Sequence, residues 1–120
     1  MVLVDTSIWI DHLKKGNASL EKLLLFMEVV CHPFIIGELA CGNLKNRNEI
    51  LSLLHSLPTT PILEHNEILY FIERKKLMGI GIGLIDVHLL ASAHLAHAPV
   101  WTIDKKLLSA SGALGISFTN

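Results

Sequence analysis

Short apolar segments alternate with longer segments of helical periodicity along most of this 120-residue chain. Met1–Val4 is an uncharged apolar run at the start of the sequence, and Pro99–Ile103 is a similar run near its end. Continuous apolar runs of this length are typical of strands in a parallel sheet, because helices bury both of its faces. The alternation therefore predicts an α/β fold, with a mostly parallel sheet between layers of helices.

The predicted elements are short and closely spaced, and neither repeats nor a linker interrupt them. A chain of this length predicts a single domain, residues 1–120. The predicted strands are Met1–Val4, Val29–Cys31, a short edge strand Pro61–Leu63, Pro99–Ile103 and Gly115–Phe118. The predicted helices are Thr6–Leu13, Ala18–Glu28, Phe34–Cys41 with Pro33 at its first position, Arg47–Ser56, Asn66–Met78, Ile85–His97 and Lys105–Ala110, and Gly79–Gly83 is a predicted loop.

Composition excludes several classes of protein. With 51% hydrophobic and 18% charged residues, the chain is not disordered. Residues 1–10 lack the basic region of a signal peptide, and the uncharged stretch 87–103 contains histidines and a proline, so that it predicts a buried helix and a strand. Cys31 and Cys41 fit small buried hydrophobes in a reducing compartment. We therefore expect a soluble, cytoplasmic protein with no membrane segment.

Four carboxylates stand alone in apolar sequence. Asp5 is the only charged residue in 1–10, Glu38 the only one in 29–44, and Asp86 the only one in 77–103, a tract that Asp104 then ends. Asp5 and Asp104 each close an apolar strand and precede a helix, and parallel sheets place their ligands at that end of the strands. The sequence therefore predicts a functional site that contains these acids.

Glu38 is expected to point along an apolar stripe, since it follows Phe34 and Ile35 at helical spacing. An unpaired buried carboxylate costs several kcal/mol or more. The ten Lys and Arg residues lie mainly in polar helical stretches, so pairing all four acids with basic partners is implausible.

Two explanations of the lone acids are open at this point. Asp5, Asp86 and Asp104 each stand near a predicted helix start, where capping and the helix dipole stabilise a carboxylate by about 0.5–2 kcal/mol. Alternatively, the acids share a divalent cation, and hard oxygen ligands of this kind suit Mg²⁺ or Mn²⁺. Capping leaves Glu38 unexplained, so we favour the shared cation.

Four sequence blocks resemble the signatures of PIN-domain nucleases, and in particular of the VapC toxins of type II toxin–antitoxin systems. The blocks are Val-Asp-Thr-Ser-Ile-Trp-Ile (4–10), Gly-Glu-Leu (37–39), Ile-Asp-Val-His-Leu-Leu-Ala-Ser-Ala (85–93) and Trp-Thr-Ile-Asp-Lys-Lys-Leu (101–107). Their order and spacing cover essentially the whole chain.

The resemblance implies a three-layer α/β/α fold with a central parallel sheet. It also implies Mg²⁺ or Mn²⁺ bound by Asp5, Asp86 and Asp104, with Glu38 beside them, and cleavage of RNA. In the toxins, a small cognate antitoxin inhibits the enzyme, and homodimers are usual. Two alternatives to a toxin remain. One is a stand-alone PIN-type nuclease that processes RNA, and the other is an α/β binding module without catalytic activity.

Further residues near these blocks are candidates for supporting roles. Thr6, Ser7 and Thr102 flank the acids and either hold a water or phosphate oxygen there or cap the helices. Candidate phosphate contacts are Arg47, Arg74, Lys75, Lys76, Lys105 and Lys106, although a solvated helix face is the simpler interpretation of residues 74–76.

Three other classes of site fit less well. The glycines 79, 81 and 83 follow a charged helix instead of a strand, which disfavours a dinucleotide site. Residues 12–85 contain no Asp, which argues against a phosphorylated receiver domain. The residues Cys31, His32, Cys41, His88, His94 and His97 lack the paired spacing of a zinc site.

Overall fold

A computed structural model describes residues 1–119 and contains three short strands and seven helices over that range. The strands are β1 (Val2–Val4), β2 (Val29–Val30) and β3 (Val100–Trp101). The helices are α1 (Thr6–Lys15), α2 (Ala18–Leu25), α3 (Pro33–Ala40), α4 (Arg47–Ser56), α5 (His65–Lys75), α6 (Leu84–Ala96) and α7 (Lys105–Ala113).

The three strands form a parallel sheet in the order β2-β1-β3. On one side of β1, Val2 pairs with Val29, and on the other, Val4 pairs with Trp101. Leu3 and Val4 are fully buried, as expected for a central strand with helices on both faces. The predicted three-layer α/β/α fold with a central parallel sheet is confirmed.

The predicted strands Met1–Val4, Val29–Cys31 and Pro99–Ile103 are each shorter than expected, and the predicted strand Gly115–Phe118 is reduced to a single bridge. Cys31 forms a single parallel bridge with Thr59, and Val100 forms one with Ser117. The predicted edge strand Pro61–Leu63 is wrong, because pairing ends where Thr60 N donates to Cys31 O at 2.9 Å. Pro61 has no N–H with which to continue the ladder.

Helix ends also differ from the prediction where the backbone turns to a positive φ. The second helix stops at Leu25 instead of Glu28, since Met27 has φ 55° and turns the chain towards β2. The fifth stops at Lys75 instead of Met78, with Lys76 at φ 55°. Neither residue type favours the left-handed region, so composition gave no signal for these ends.

The core contains the three strands together with buried residues of α1, α3 and α6. Seven consecutive residues of α6, from Val87 to Ala93, are buried, and Trp9 and Trp101 are buried as core residues. Cys31 is buried as predicted, and burial raises the pKa of its thiol to about 11. The expectation for Cys41 is wrong, since its side chain is exposed just after α3.

None of the helices in residues 1–119 has both the length and the apolar character needed to cross a membrane.

A buried histidine begins α3. The ring of His32 is fully buried, and its Nδ1 accepts a hydrogen bond from Phe34 N at 3.0 Å, which caps the helix. Nε2 is buried without a partner among residues 1–119. Burial, followed by the positive charge of nearby His88, lowers the pKa of His32 to about 4.

We expect the free energy of unfolding to fall as the pH is lowered from 6.5 towards 4. Because the unfolded chain binds this proton more tightly than the folded one, His32 contributes stability that is present above pH 6.5 and is lost on acidification. The loss from His32 is on the order of 3 kcal/mol at pH 4. Urea unfolding across this range measures it.

His32→Asn is the matched variant, since Asn retains a capping acceptor but does not titrate. The pH dependence of its unfolding free energy should be shallower than that of the wild type. Parallel curves for the two proteins would contradict the assignment.

Candidate active site

The four lone acids lie at the carboxyl-terminal edge of the sheet. Asp5 directly follows β1, and Asp104 follows β3 after two further residues. Glu38 is on α3, the helix that comes after β2, and Asp86 is in the first turn of α6. Since β1 runs parallel to both neighbours, the residues that follow the strands emerge at one edge.

Asp5 is the most buried of these acids and accepts the most hydrogen bonds. It is 6% exposed, and its Oδ2 accepts hydrogen bonds from Ser7 Oγ at 2.7 Å and from Thr102 Oγ1 at 2.8 Å. Ser7 N also points to this oxygen, at 3.4 Å, so that Asp5 caps α1. One carboxylate oxygen is thus fixed, and Oδ1 has no hydrogen-bond donor among residues 1–119.

The two hydroxyls also join Asp5 to the segment that carries Asp104. Thr102 Oγ1 accepts from Asp104 N at 3.0 Å, and Ser7 Oγ accepts from Ile103 N at 3.2 Å. Asp104 itself caps α7, because its Oδ1 accepts from Leu107 N at 3.0 Å. The positions of these two acids are therefore coupled through Ser7 and Thr102.

Glu38 reaches the same edge from α3 by a different route from the one expected. Its side chain is exposed, while Ile35, Ile36 and Leu39 form the buried side of the helix. The prediction that Glu38 points along an apolar stripe is wrong. Thr6 Oγ1 donates to Glu38 Oε1 at 2.8 Å and ties the carboxylate to the start of α1, next to Asp5.

Asp86 is partly buried and lies within the electrostatic reach of the other three acids. Its pKa is raised from the ordinary 3.8, first by burial and then by the negative charges of Asp5, Asp104 and Glu38. A hydrogen bond from the Gly83 backbone opposes this rise. Asp86 is thus close enough to the other three carboxylates to be repelled by each of them.

No lysine or arginine in the described chain neutralises the cluster. Within residues 1–119, the only ion pair joins Lys15 Nζ to Asp11 Oδ1, at 3.3 Å and away from these acids. Capping accounts for one oxygen of Asp5 and one of Asp104, but it leaves the mutual repulsion and the position of Glu38 unexplained. The electrostatics therefore leave room for a cation.

Comparison with known proteins identifies the family. Over 118 residues, the chain is 43% identical to ribonuclease VapC32 of Mycobacterium tuberculosis, from both the CDC 1551 / Oshkosh and the H37Rv strains, and the match covers 98% of this chain and 95% of the relative. The chain belongs to the VapC family of PIN-domain ribonucleases. The resemblance of the four sequence blocks is thereby confirmed.

A solved structure with the same fold is PAE2754 from Pyrobaculum aerophilum. Its TM-score to this VapC-family chain is 0.62 at 18% identity, with 91% of this chain and 78% of the other covered. At that identity the likeness concerns the fold alone. No family model matches the sequence.

The site offers carboxylate oxygens, which are the ligands that a hard divalent ion prefers. As the side chains stand, no three His, Cys, Asp or Glu residues within 1–119 converge on one point as metal ligands do. This finding applies to the four acids and to the histidines and cysteines alike. Asp5, Glu38 and Asp104 nevertheless each have one carboxylate oxygen without a donor in the described chain, and carboxylate oxygens are the ligands that such an ion takes.

We expect Asp86→Asn to raise the midpoint of thermal unfolding at pH 7.5 in the presence of EDTA. Because the folded pKa of Asp86 lies above its unfolded value, its ionisation favours the unfolded state. The cost is fully present above the folded pKa and disappears as the pH falls towards 3.8. The advantage of the variant should therefore shrink on acidification, as calorimetry would show.

Asp11→Asn is the control, since Asp11 is a carboxylate paired with Lys15 outside the cluster. It should not stabilise the protein. A lower unfolding midpoint for Asp86→Asn than for the wild type under these conditions would contradict the proposed repulsion.

Proposed function

We propose that this VapC-family chain is a metal-dependent endoribonuclease that hydrolyses phosphodiester bonds in RNA. The observation that carries the proposal is the set of four carboxylates at one sheet edge with no basic partner in the described chain. The name of the Mycobacterium tuberculosis relative, a ribonuclease, supports RNA as the substrate.

Asp5, Asp86 and Asp104 are the proposed ligands of Mg²⁺, or of Mn²⁺. When bound, such an ion lowers the pKa of a water molecule and neutralises charge on the phosphate. The hydroxyls of Ser7 and Thr102 hold Asp5 in place by occupying Oδ2, which leaves Oδ1 for the ion. This supporting role and the capping of α1 are compatible, because both use Oδ2 of Asp5 and neither uses Oδ1.

Glu38 is the proposed general base. Its Oε1 is held by Thr6, while Oε2 has no donor among residues 1–119 and is free to accept a proton from the attacking water. The water oxygen forms the new bond to phosphorus as the bond to the 3′ oxygen breaks. The products are a 5′-phosphate and a 3′-hydroxyl, whose proton comes from solvent.

We also propose that the protein is the toxin of a toxin–antitoxin pair and acts as a homodimer in the cytoplasm. The name VapC32 of its relative supports the toxin role. A cluster of unpaired carboxylates is a suitable target for a basic side chain of an antitoxin. Growth arrest on expression of this chain, relieved by co-expression of its genomic neighbour, would distinguish a toxin from a stand-alone RNA-processing nuclease.

Asp5→Asn should reduce cleavage of a single-stranded RNA by about a hundredfold or more, because loss of a metal ligand removes several kcal/mol of transition-state stabilisation. EDTA should abolish cleavage by the wild type, and Mg²⁺ or Mn²⁺ should restore it. Gel analysis of an end-labelled RNA measures both effects.

Asp11→Asn serves again as the matched control and should cleave as the wild type does, since Asp11 pairs with Lys15 on the far part of α1. Circular dichroism should show that Asp5→Asn retains the fold. Full activity of a folded Asp5→Asn protein, or in excess EDTA, would overturn the proposed mechanism.

A further inference from the structure

Four of the eight lysines in the chain line one cavity. The cavity has a volume of about 400 Å³ and lies between the C-terminal end of α5 and the exposed side of α7. The lysines are Lys75, Lys76, Lys105 and Lys106. Although the two pairs are far apart in the sequence, the fold brings them together.

The cavity concentrates positive charge that nothing in the described chain neutralises. Its lining contains no acidic residue. None of the four lysines has a carboxylate partner, since the ion pair of Lys15 is the only one within residues 1–119. Four like charges around one space repel each other and attract an anion.

The position of Lys105 and Lys106 is itself unfavourable for the helix. They are the first two residues of α7, where the helix dipole disfavours a cation. A helix start would be more stable with acidic or neutral residues there. The local cost indicates that these lysines serve something other than folding.

Gly81 makes room for one of these side chains. A Cβ on Gly81 would lie 2.8 Å from Lys106 Nζ and 3.0 Å from its Cδ, and Gly81 has φ +85°. Any other residue would therefore displace the lysine as well as strain the backbone. Within the glycine-rich loop 79–83, Gly81 thus leaves room for the Lys106 side chain beside the cavity.

The cavity is lined by the residues that directly follow Asp104 of the proposed cleavage site. Lys105 and Lys106 follow Asp104 directly, and the lining extends along α7 as far as Leu114, roughly 13 Å at the helical rise per residue. Leu77, Ile80 and Leu114 form apolar parts of the wall. Phosphate oxygens with sugar or base faces between them match this combination better than a lone small anion does.

We propose that Lys75, Lys76, Lys105 and Lys106 form a phosphate-binding subsite that holds the RNA chain beside the cleavage site. This inference deepens the proposed function and rests on RNA being the substrate. It also replaces the simpler interpretation of Lys75 and Lys76 as a solvated helix face.

The test is the salt dependence of RNA binding in the nuclease-inactive Asp5→Asn protein, with a fluorescent single-stranded RNA. Removal of one lysine–phosphate interaction should reduce the slope of log K against log salt by about 0.7. Lys105→Gln with Lys106→Gln should therefore reduce it by about 1.4, and neutralising all four lysines by about 2.8. Lys14→Gln with Lys22→Gln, which changes two lysines outside the cavity, should leave the slope unchanged.

In the active enzyme, the same lysine substitutions should raise KM for a long RNA, because the subsite binds substrate and transition state alike. An unchanged slope in the quadruple variant, or an equal reduction in the Lys14/Lys22 control, would overturn the subsite. A salt-dependence slope near zero for RNA binding by the Asp5→Asn protein would also overturn it. Displacement of the RNA by millimolar inorganic phosphate at constant ionic strength would overturn it too, because it would indicate a site for small anions. Lysine-dependent RNA binding by a wild-type protein that cleaves no RNA would instead uphold the subsite and refute the proposed nuclease activity.

Discussion

Parallel pairing of β1 with a strand on each side is the constraint on which the rest of the molecule depends. It sends the residues after β1 and β3 to one edge, where Asp5 and Asp104 begin their helices. Ser7 and Thr102, 95 residues apart, then bind the same oxygen of Asp5. These bonds could not form if β3 paired in another register or ran antiparallel, so the sheet and the site specify each other.

The parts of this arrangement that depend on strand ends were predictable, and those that depend on helix orientation were not. Asp5 and Asp104 follow apolar runs, and this alone indicates their place in a parallel sheet. The sequence predicted a buried position for Glu38 from its apolar surroundings, and the exposed side chain contradicts this prediction. Three-residue spacing on so apolar a helix does not reveal which side meets the sheet.

The predicted edge strand at Pro61–Leu63 was wrong because a single proline decided where pairing ended. The meeting of Lys75 and Lys76 with Lys105 and Lys106 depends on how two helices pack, which local pattern does not encode.

Three acids of the cluster are stabilised by hydrogen bonds, whereas the fourth, Asp86, is destabilised by its surroundings. Hydroxyls and helix N-termini bind one oxygen each of Asp5, Asp104 and Glu38, at distances of 2.7–3.0 Å. Asp86, by contrast, is penalised by burial and by its three neighbours. A chain selected for stability alone would replace Asp86 by a neutral residue, so its presence is better explained by a function that needs the charge.

A net charge of −1 conceals two strong local charges of opposite sign. The four acids lie at the carboxyl-terminal edge of the sheet, and four lysines lie at the first turn of α7 and the end of α5. No ion pair within residues 1–119 joins the two sets. Direct pairing would neutralise both and leave neither able to bind a ligand. In the proposed mechanism the separation matters, because the lysines attract the RNA towards a site whose own charge repels phosphate, and a bound cation offsets that repulsion. The electrostatic case for a divalent ion and the case for a lysine subsite are thus two consequences of one charge separation, with Asp104 at the boundary between them.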